Sequence, residues 1–349
     1  DITSAPLLST VKAKFTVKTK DFEPSAVLEG KYIESVHQAF LDGFVSKEKT
    51  SGEPAVNVSG SPTQLQHFSF PEKTEEFYPS TPKFKIAGNI AALQLLKELE
   101  QDQRQPTIEE QETLGKYVGW GGLADIFDEK KENYAESRAL LRRLVSESDY
   151  ASMRESVLPA YYTDPALIRA VYNKIQELGF SHGRILDPAM GTGNFFSAMP
   201  DEIYEKSELH GVELDPITGK IAAFRHPEAQ VKIQGFESVN YSKGSFDLVV
   251  GNIPFKDFKI SSEHYSKRYL IHDYFMKRSV DLLKEGGVFA VFTSTGSLNK
   301  LNGITEELYK EADFLGGVRL PNTAFKKIAG TETVVDLLLF QKNSTKALE

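Results

Sequence analysis

The chain has 349 residues, of which 40% are hydrophobic and 26% charged, a balance typical of globular protein and a length suggesting roughly two domains. With no cysteine, disulfides and Cys-based zinc sites are excluded, and no run reaches the ~18 apolar residues that a membrane span needs. The net charge of -8 argues against tight duplex-DNA binding by this chain alone, because phosphate contacts dominate such affinity. No secretory signal opens it, and a reducing cytoplasm is the expected location; the abrupt Asp1 start and the Leu348-Glu349 ending suggest a piece of a longer protein.

Residues 1–45 form an N-terminal segment of unknown role. Within it, Val11, Ala13, Phe15 and Val17 alternate with polar residues as in a half-buried or edge strand, and a short helix is expected around 31–44. Residues 46–83, rich in Ser, Thr, Pro, Glu and Lys, read as a linker or surface arm. Residues 84–159 read as a helical extension, with Ile90, Leu93, Leu96 and Leu99 near helical spacing and a capping-box pattern at Thr107–Glu110. Gly119-Trp120-Gly121-Gly122 interrupts it. That stretch suits either a loop near a functional site or, the favoured reading, a buried Trp anchoring a glycine turn.

From residue 160 to 345 helix and strand alternate. Asp164 caps and Pro165 opens a helix; strands are expected at 184–188, 208–214, 231–235, 246–251, 288–294, 314–320 and 333–341. Helices fall between them at 194–204, 216–224, 271–285 and 302–311. Runs such as Val288–Phe292 suit strands buried on both faces, so the domain is an open α/β sheet.

Three strand ends carry the chemistry. Asp187 ends the first strand and is followed by Gly191 and Gly193, which let the backbone turn sharply and approach a ligand. Glu213 ends the next strand, where an acid can accept both hydroxyls of a ribose. A dinucleotide site would want a third glycine where Phe196 stands. S-adenosylmethionine has no pyrophosphate, and its cationic groups favour an acid such as Asp187. The third strand end, Gly251-Asn252-Ile253-Pro254-Phe255, offers a side-chain amide, a backbone carbonyl and an aromatic ring. Two acceptors aimed at an exocyclic amine draw its nitrogen toward tetrahedral geometry, and an aromatic ring can stack on an extruded base.

These residues carry a family resemblance. Asp187–Phe195 resembles motif I of N6-adenine DNA methyltransferases, Tyr161–Pro165 resembles their N-terminal motif, and Gly211–Pro216 resembles motif II. The resemblance implies a Rossmann-like, seven-stranded S-adenosylmethionine-dependent methyltransferase fold over 160–345, preceded by the helical extension. It assigns donor contacts to Tyr162, Thr163, Asp187, Ala189, Gly191, Gly193, Glu213 and Phe236, the last standing where the family often has Asp, with Glu237 next to it. It assigns base contact and catalysis to Asn252, Pro254 and Phe255, and implies no metal. Ile253 departs from the family's first proline, which keeps the backbone carbonyl but not proline's fixed φ. The stretches Tyr117–Leu123 and Leu315–Phe325 extend the likeness to the methyltransferase region of large helicase–methyltransferases of bacterial plasmids, conjugative elements and phages. Expected partners are therefore DNA and a helicase region of the same parent protein. The alternative is a catalytically degenerate DNA- or donor-binding module of a conjugation or anti-restriction protein.

Overall fold

The computed structural model of the chain describes residues 67–72, 74, 77–155, 163–297, 304–321 and 334–345. The alternating segment Val11–Val17, the helix expected at 31–44 and the Tyr161-Tyr162 pair lie outside the described residues.

The helical extension forms where its sequence signals place it. Helix α1 (Pro82–Asp102) begins with Pro82 in its first turn, and the Thr81 hydroxyl accepts from the Phe84 amide. Helix α2 (Ile108–Gly115) carries the expected capping box: Thr107 Oγ1 accepts from Glu110 N, and the Glu110 carboxylate accepts from Thr107 N. Helices α3 (Ala135–Leu144) and α4 (Glu147–Glu155) complete it. Leu93, Leu99, Leu114, Trp120 and Leu141 meet in one apolar cluster, and Ile217, Ile221 and Phe224 of the following domain join the same cluster. The extension is thereby packed onto the sheet domain.

All seven expected strands are present. They are β1 (Arg184–Asp187), β2 (Glu208–Glu213), β3 (Gln230–Ile233), β4 (Phe246–Asn252), β7 (Leu283–Ser294), β8 (Ala312–Leu320) and β9 (Val335–Lys342), in the order β3-β2-β1-β4-β7-β9-β8. Strand β9 runs antiparallel to both neighbours, whereas β3, β2, β1, β4 and β7 are mutually parallel. Alternate side chains feed two cores. Ile185, Leu248, Val250, Ala290 and Leu337 face one, and Leu186, Val249, Phe289, Val291 and Leu338 face the other. Helices α5 (Pro165–Glu177), α6 (Asn194–Ser197), α7 (Asp201–Tyr204), α8 (Pro216–Arg225), α9 (Ile271–Leu282) and α10 (Ile304–Tyr309) connect the strands.

Two expectations are corrected here. The helix expected across 194–204 is two short helices, because Pro200 has no amide hydrogen to continue the first one. The stretch after β4 contains a hairpin, β5 (Lys259–Ser262) with β6 (Tyr265–Leu270), whose polar composition hid it. Tyrosines bolt it down: Tyr265 donates to Asp281 and Tyr269 donates to Glu307, both at 2.6 Å.

The described part of the 46–83 stretch is also not a loose arm. Phe68, Phe70, Phe77 and Tyr78 are buried in the core that covers α5 and α6. The Phe70 amide donates to Ser197 O at 3.0 Å, and the Arg169 guanidinium holds the carbonyls of Phe70, Pro71 and Glu72. Four aromatic residues within eleven positions were the overlooked signal.

Beneath α6 sits a buried polar group. His226 is hydrogen-bonded to Gly193 O and Ser197 Oγ at 3.0 Å and to Tyr204 Oη at 3.2 Å, while Tyr204 also donates to Glu228. Burial, then the neighbouring Arg225 and His67, hold its pKa well below the usual 6.5. Below pH 6.5 the unfolded chain therefore binds a proton that the folded chain excludes. Stability is full above that pH and is lost as pH falls, by up to about 1.4 kcal/mol per pH unit for one proton. His226→Gln removes this part of the slope. Denaturant titrations from neutral to mildly acidic pH check it, and equal slopes in the two proteins would refute it.

Candidate active site

Between β1 and β4 the strand order reverses, and there, beyond the carboxyl ends of β1, β2 and β4, lies a cavity of about 660 Å³. Thr163, Ala189, Gly191, Glu213, Phe236, Asn252, Pro254 and Phe255 all line it. Eight of the eleven residues singled out in the sequence thus converge on one space. Tyr162 lies outside the described residues, and Asp187 and Gly193 sit behind the wall.

The two glycines of the turn have different tasks. Both have left-handed backbones, with φ of 56° at Gly191 and 87° at Gly193. A Cβ on Gly193 would stand 2.5 Å from His226 Cδ2, so Gly193 faces the core. A Cβ on Gly191 would meet nothing within 4 Å, so Gly191 faces the cavity. The Gly191 amide donates to Glu213 Oε2 and the Asp215 amide to Glu213 Oε1, each at 2.9 Å. These bonds fix the carboxylate at the wall. Each oxygen keeps a second acceptor direction suited to a hydroxyl. Burial raises the Glu213 pKa, which the two amides oppose.

Asp187 is fully buried. Its Oδ1 accepts from the Ala189 amide at 3.1 Å, and burial holds its carboxyl well above the usual range. It shapes the turn from behind. Phe236 and Glu237 both line the cavity, Phe236 buried against Phe275 at a ring separation of 4.9 Å and Glu237 half-exposed.

On the other side, Asn252 ends β4. Its Nδ2 donates to Thr163 Oγ1 at 3.1 Å, a link between the two halves that no sequence pattern announces. Ile253 is 1% exposed, and its amide donates to Phe292 O at 3.1 Å. A proline could not make that bond, so isoleucine carries the ladder one residue further and plugs the core. Pro254 and Phe255 then turn into the cavity. Its outer rim is Lys256, Lys259 and a half-exposed Phe258 at the start of the hairpin. His264 bonds to Val239 O and His272 lies beside Asp273, so neither faces the cavity.

The helical extension also contributes, and both readings of the Trp120 stretch hold together. Tyr117, Gly119, Trp120 and Met153 of the helical extension also line the cavity. Trp120 is both a buried anchor and a wall of the site, and a lone Trp flanked by glycines was its signal.

A family model described as Eco57I restriction-modification methylase matches residues 85–315, which span the extension and the sheet as far as β8. The chain belongs to this family. The family is one of restriction-modification methylases, enzymes for which S-adenosylmethionine is the methyl donor. The open Gly191 turn and the amide-held Glu213 carboxylate fit that donor. The chain is 32% identical over 196 residues to "Defense against restriction protein B" of Escherichia phage P1, a match covering 54% of this chain and 8% of that protein. It is 25% identical over 264 residues to the "Type I restriction enzyme EcoEI methylase subunit" of Escherichia coli, covering 60% of this chain and 52% of that subunit. The chain thus spans about half of one curated relative and a small part of the other. Among solved structures, the methyltransferase subunit of a type I restriction-modification system from Streptococcus thermophilus superposes with a TM-score of 0.44 at 16% identity, covering 77% of this chain and 68% of that one. Among the described residues no helix is long and apolar enough to cross a membrane.

Proposed function

We propose that this chain transfers a methyl group to N6 of an adenine swung out of DNA. The observation that supports this most is Asn252 standing across one shared cavity from Gly191 and Glu213. S-adenosylmethionine supplies an electrophilic methyl group on its sulfonium. Gly191 leaves room for it, Glu213 holds its ribose hydroxyls, and Phe236 and Ala189 wall it. With Nδ2 committed to Thr163, Oδ1 is the acceptor that the Asn252 amide offers to an amino hydrogen. The carbonyl of Ile253 is the second acceptor. Together they would pull lone-pair density back onto the amine nitrogen and stabilise the positive charge that develops there as its bond to the methyl carbon forms and the carbon–sulfur bond breaks, the electron pair leaving with sulfur as S-adenosylhomocysteine. The surplus proton leaves the nitrogen for solvent. Extruding the base costs a few kcal/mol, and stacking on Phe255 returns about 1–3 kcal/mol, so the ring offsets much of that cost.

The helicase-bearing parent protein and a role in modifying or protecting mobile DNA belong to this reading. The likeness to the phage P1 protein, which by its name acts in defence against restriction, supports the second of these, over a small share of that protein. Mapping N6-methyladenine at single-base resolution, in DNA incubated with the chain and donor, tests activity, target base and sequence context at once. Methyl groups on RNA, protein or another base instead of adenine would overturn the reading.

The lysines of the rim support contact with a DNA backbone. Lys256 and Lys259 are exposed where a phosphate backbone would pass the cavity mouth. Changing both to Gln should weaken binding alike across sequences and flatten the plot of log affinity against log salt by about two, one unit per lost phosphate contact. Fluorescence anisotropy over a salt series reads that slope. An unchanged slope places the DNA elsewhere.

A further inference from the structure

One wall of the cavity comes from outside the α/β domain. The loop that carries Trp120 follows α2, and its position is over-determined. Asn89 of α1 is fully buried; its Nδ2 donates to Gly119 O at 2.5 Å, and its Oδ1 accepts from Val118 N at 2.8 Å. Both sides of the loop's backbone are thus held by one amide. Gly119, at φ 65°, and Gly122, at φ 71°, make the turn on either side of the indole. The Trp120 ring stands edge-on to Phe127 at 5.6 Å and is 3% exposed.

The extension is also fixed to a particular part of the sheet. Trp120 shares its cluster with Ile217, Ile221 and Phe224 of α8. Gln111 Nε2 donates to Phe224 O at 3.3 Å, and Lys220 pairs with Glu100 at 2.6 Å. Helix α8 begins directly after Glu213, Leu214 and Asp215. The Trp120 loop therefore lies by the end of β2, in the donor half of the cavity.

We infer that Trp120 is a wall of the methyl-donor site supplied by the helical extension, and that Asn89 is the positioning residue that keeps it there. This rests on the reading that the Gly191–Glu213 half binds S-adenosylmethionine. The physical gain is exclusion of water. A strand end bounded only by its own loops would leave one side of the donor wet, whereas ligand sites usually bury most of the ligand surface. The sheet domain over 160–345 would then hold an incomplete donor site without residues 84–159.

The chain contains a single Trp, so its tryptophan emission reports on this wall alone. Full-length chain is titrated with S-adenosylhomocysteine, which binds without reacting, while emission and calorimetric heat are followed in parallel and no DNA is present. Emission should change and saturate at the same concentration as the heat. Trp120→Phe should weaken binding about tenfold, equivalent to about 1.4 kcal/mol. Asn89→Ala should raise the donor KM several-fold with the DNA KM unchanged, a split that general loosening of the fold would not produce. Heat without an emission change, together with wild-type affinity in Trp120→Phe, would overturn this inference and leave the donor reading standing. Neither heat nor emission change would overturn the donor reading itself. The wild-type titration decides the matter even if a variant fails to fold.

Discussion

Asn252→Ala should lower methyl transfer to DNA about 10²–10³-fold while binding of S-adenosylhomocysteine stays near wild type. The size follows from removing one preorganised acceptor aimed at charge that exists only in the transition state. Affinity for the donor is spared because Asn252 belongs to the opposite half of the cavity. Its hydrogen-bond acceptor, Thr163 Oγ1, loses a bond from a half-buried amide, which costs about 1 kcal/mol of stability and leaves the fold intact. Thr163→Val should reproduce part of the loss in turnover by freeing the amide to rotate, and should also weaken donor binding because Thr163 is itself an expected donor contact. Single-turnover transfer with labelled donor, beside calorimetry, measures both quantities. Wild-type turnover in Asn252→Ala would end the proposed mechanism. A parallel loss of donor binding in that variant would mean that the two halves of the cavity were wrongly divided.

Gly191→Ala and Gly193→Ala should separate function from stability within one turn. Each places a side chain on a left-handed backbone, which costs about 1–2 kcal/mol. At Gly193 the new methyl also runs into the His226 ring, held by bonds to Gly193 O, Ser197 and Tyr204, which leave it little freedom to shift. The total should reach about 3 kcal/mol or more, a severe loss by the standards of single substitutions. At Gly191 the methyl enters open space, so stability falls only by the backbone cost. That space is where the donor is expected, so affinity for S-adenosylhomocysteine should fall about tenfold or more as the added methyl competes for volume. Thermal unfolding ranks the two variants one way and donor titration ranks them the other. The same order in both measurements would show that Gly191 does not face the ligand.

Much of this was legible in the chain because local rules and the global fold agree. The seven strands are short apolar runs whose alternate side chains feed two cores, and such runs announce themselves whatever surrounds them. Thr107 and Glu110 cap a helix through their own side chains, so sequence and structure coincide there. The order of an acid, two glycines, a second acid and an amide-bearing turn was enough to place Gly191, Glu213 and Asn252 on one rim, since strand ends at a switch point share a crevice. What failed was also physical. Lys259–Leu270 pairs as a hairpin held by tyrosine hydroxyls on Asp281 and Glu307, bonds between distant residues that leave no periodic trace. Phe68, Phe70, Phe77 and Tyr78 lie in a polar stretch and reveal their role only against the core that they fill.

The sequence by itself determined the seven strands of the main sheet, the order of the chemical groups along them, and hence a glycine turn and an acid followed by an amide-bearing turn. Backbone preference and hydrophobic period are properties of neighbouring residues, so they survive without a fold. Only the tertiary structure decided what each group faces: Asp187 behind the wall, Gly193 against His226, Gly191 toward the cavity, Asn252 tied to Thr163, and Trp120 brought in from the extension to line the cavity. Those outcomes depend on packing between segments far apart in the chain, where close-packed volume admits one arrangement and no local rule foretells it.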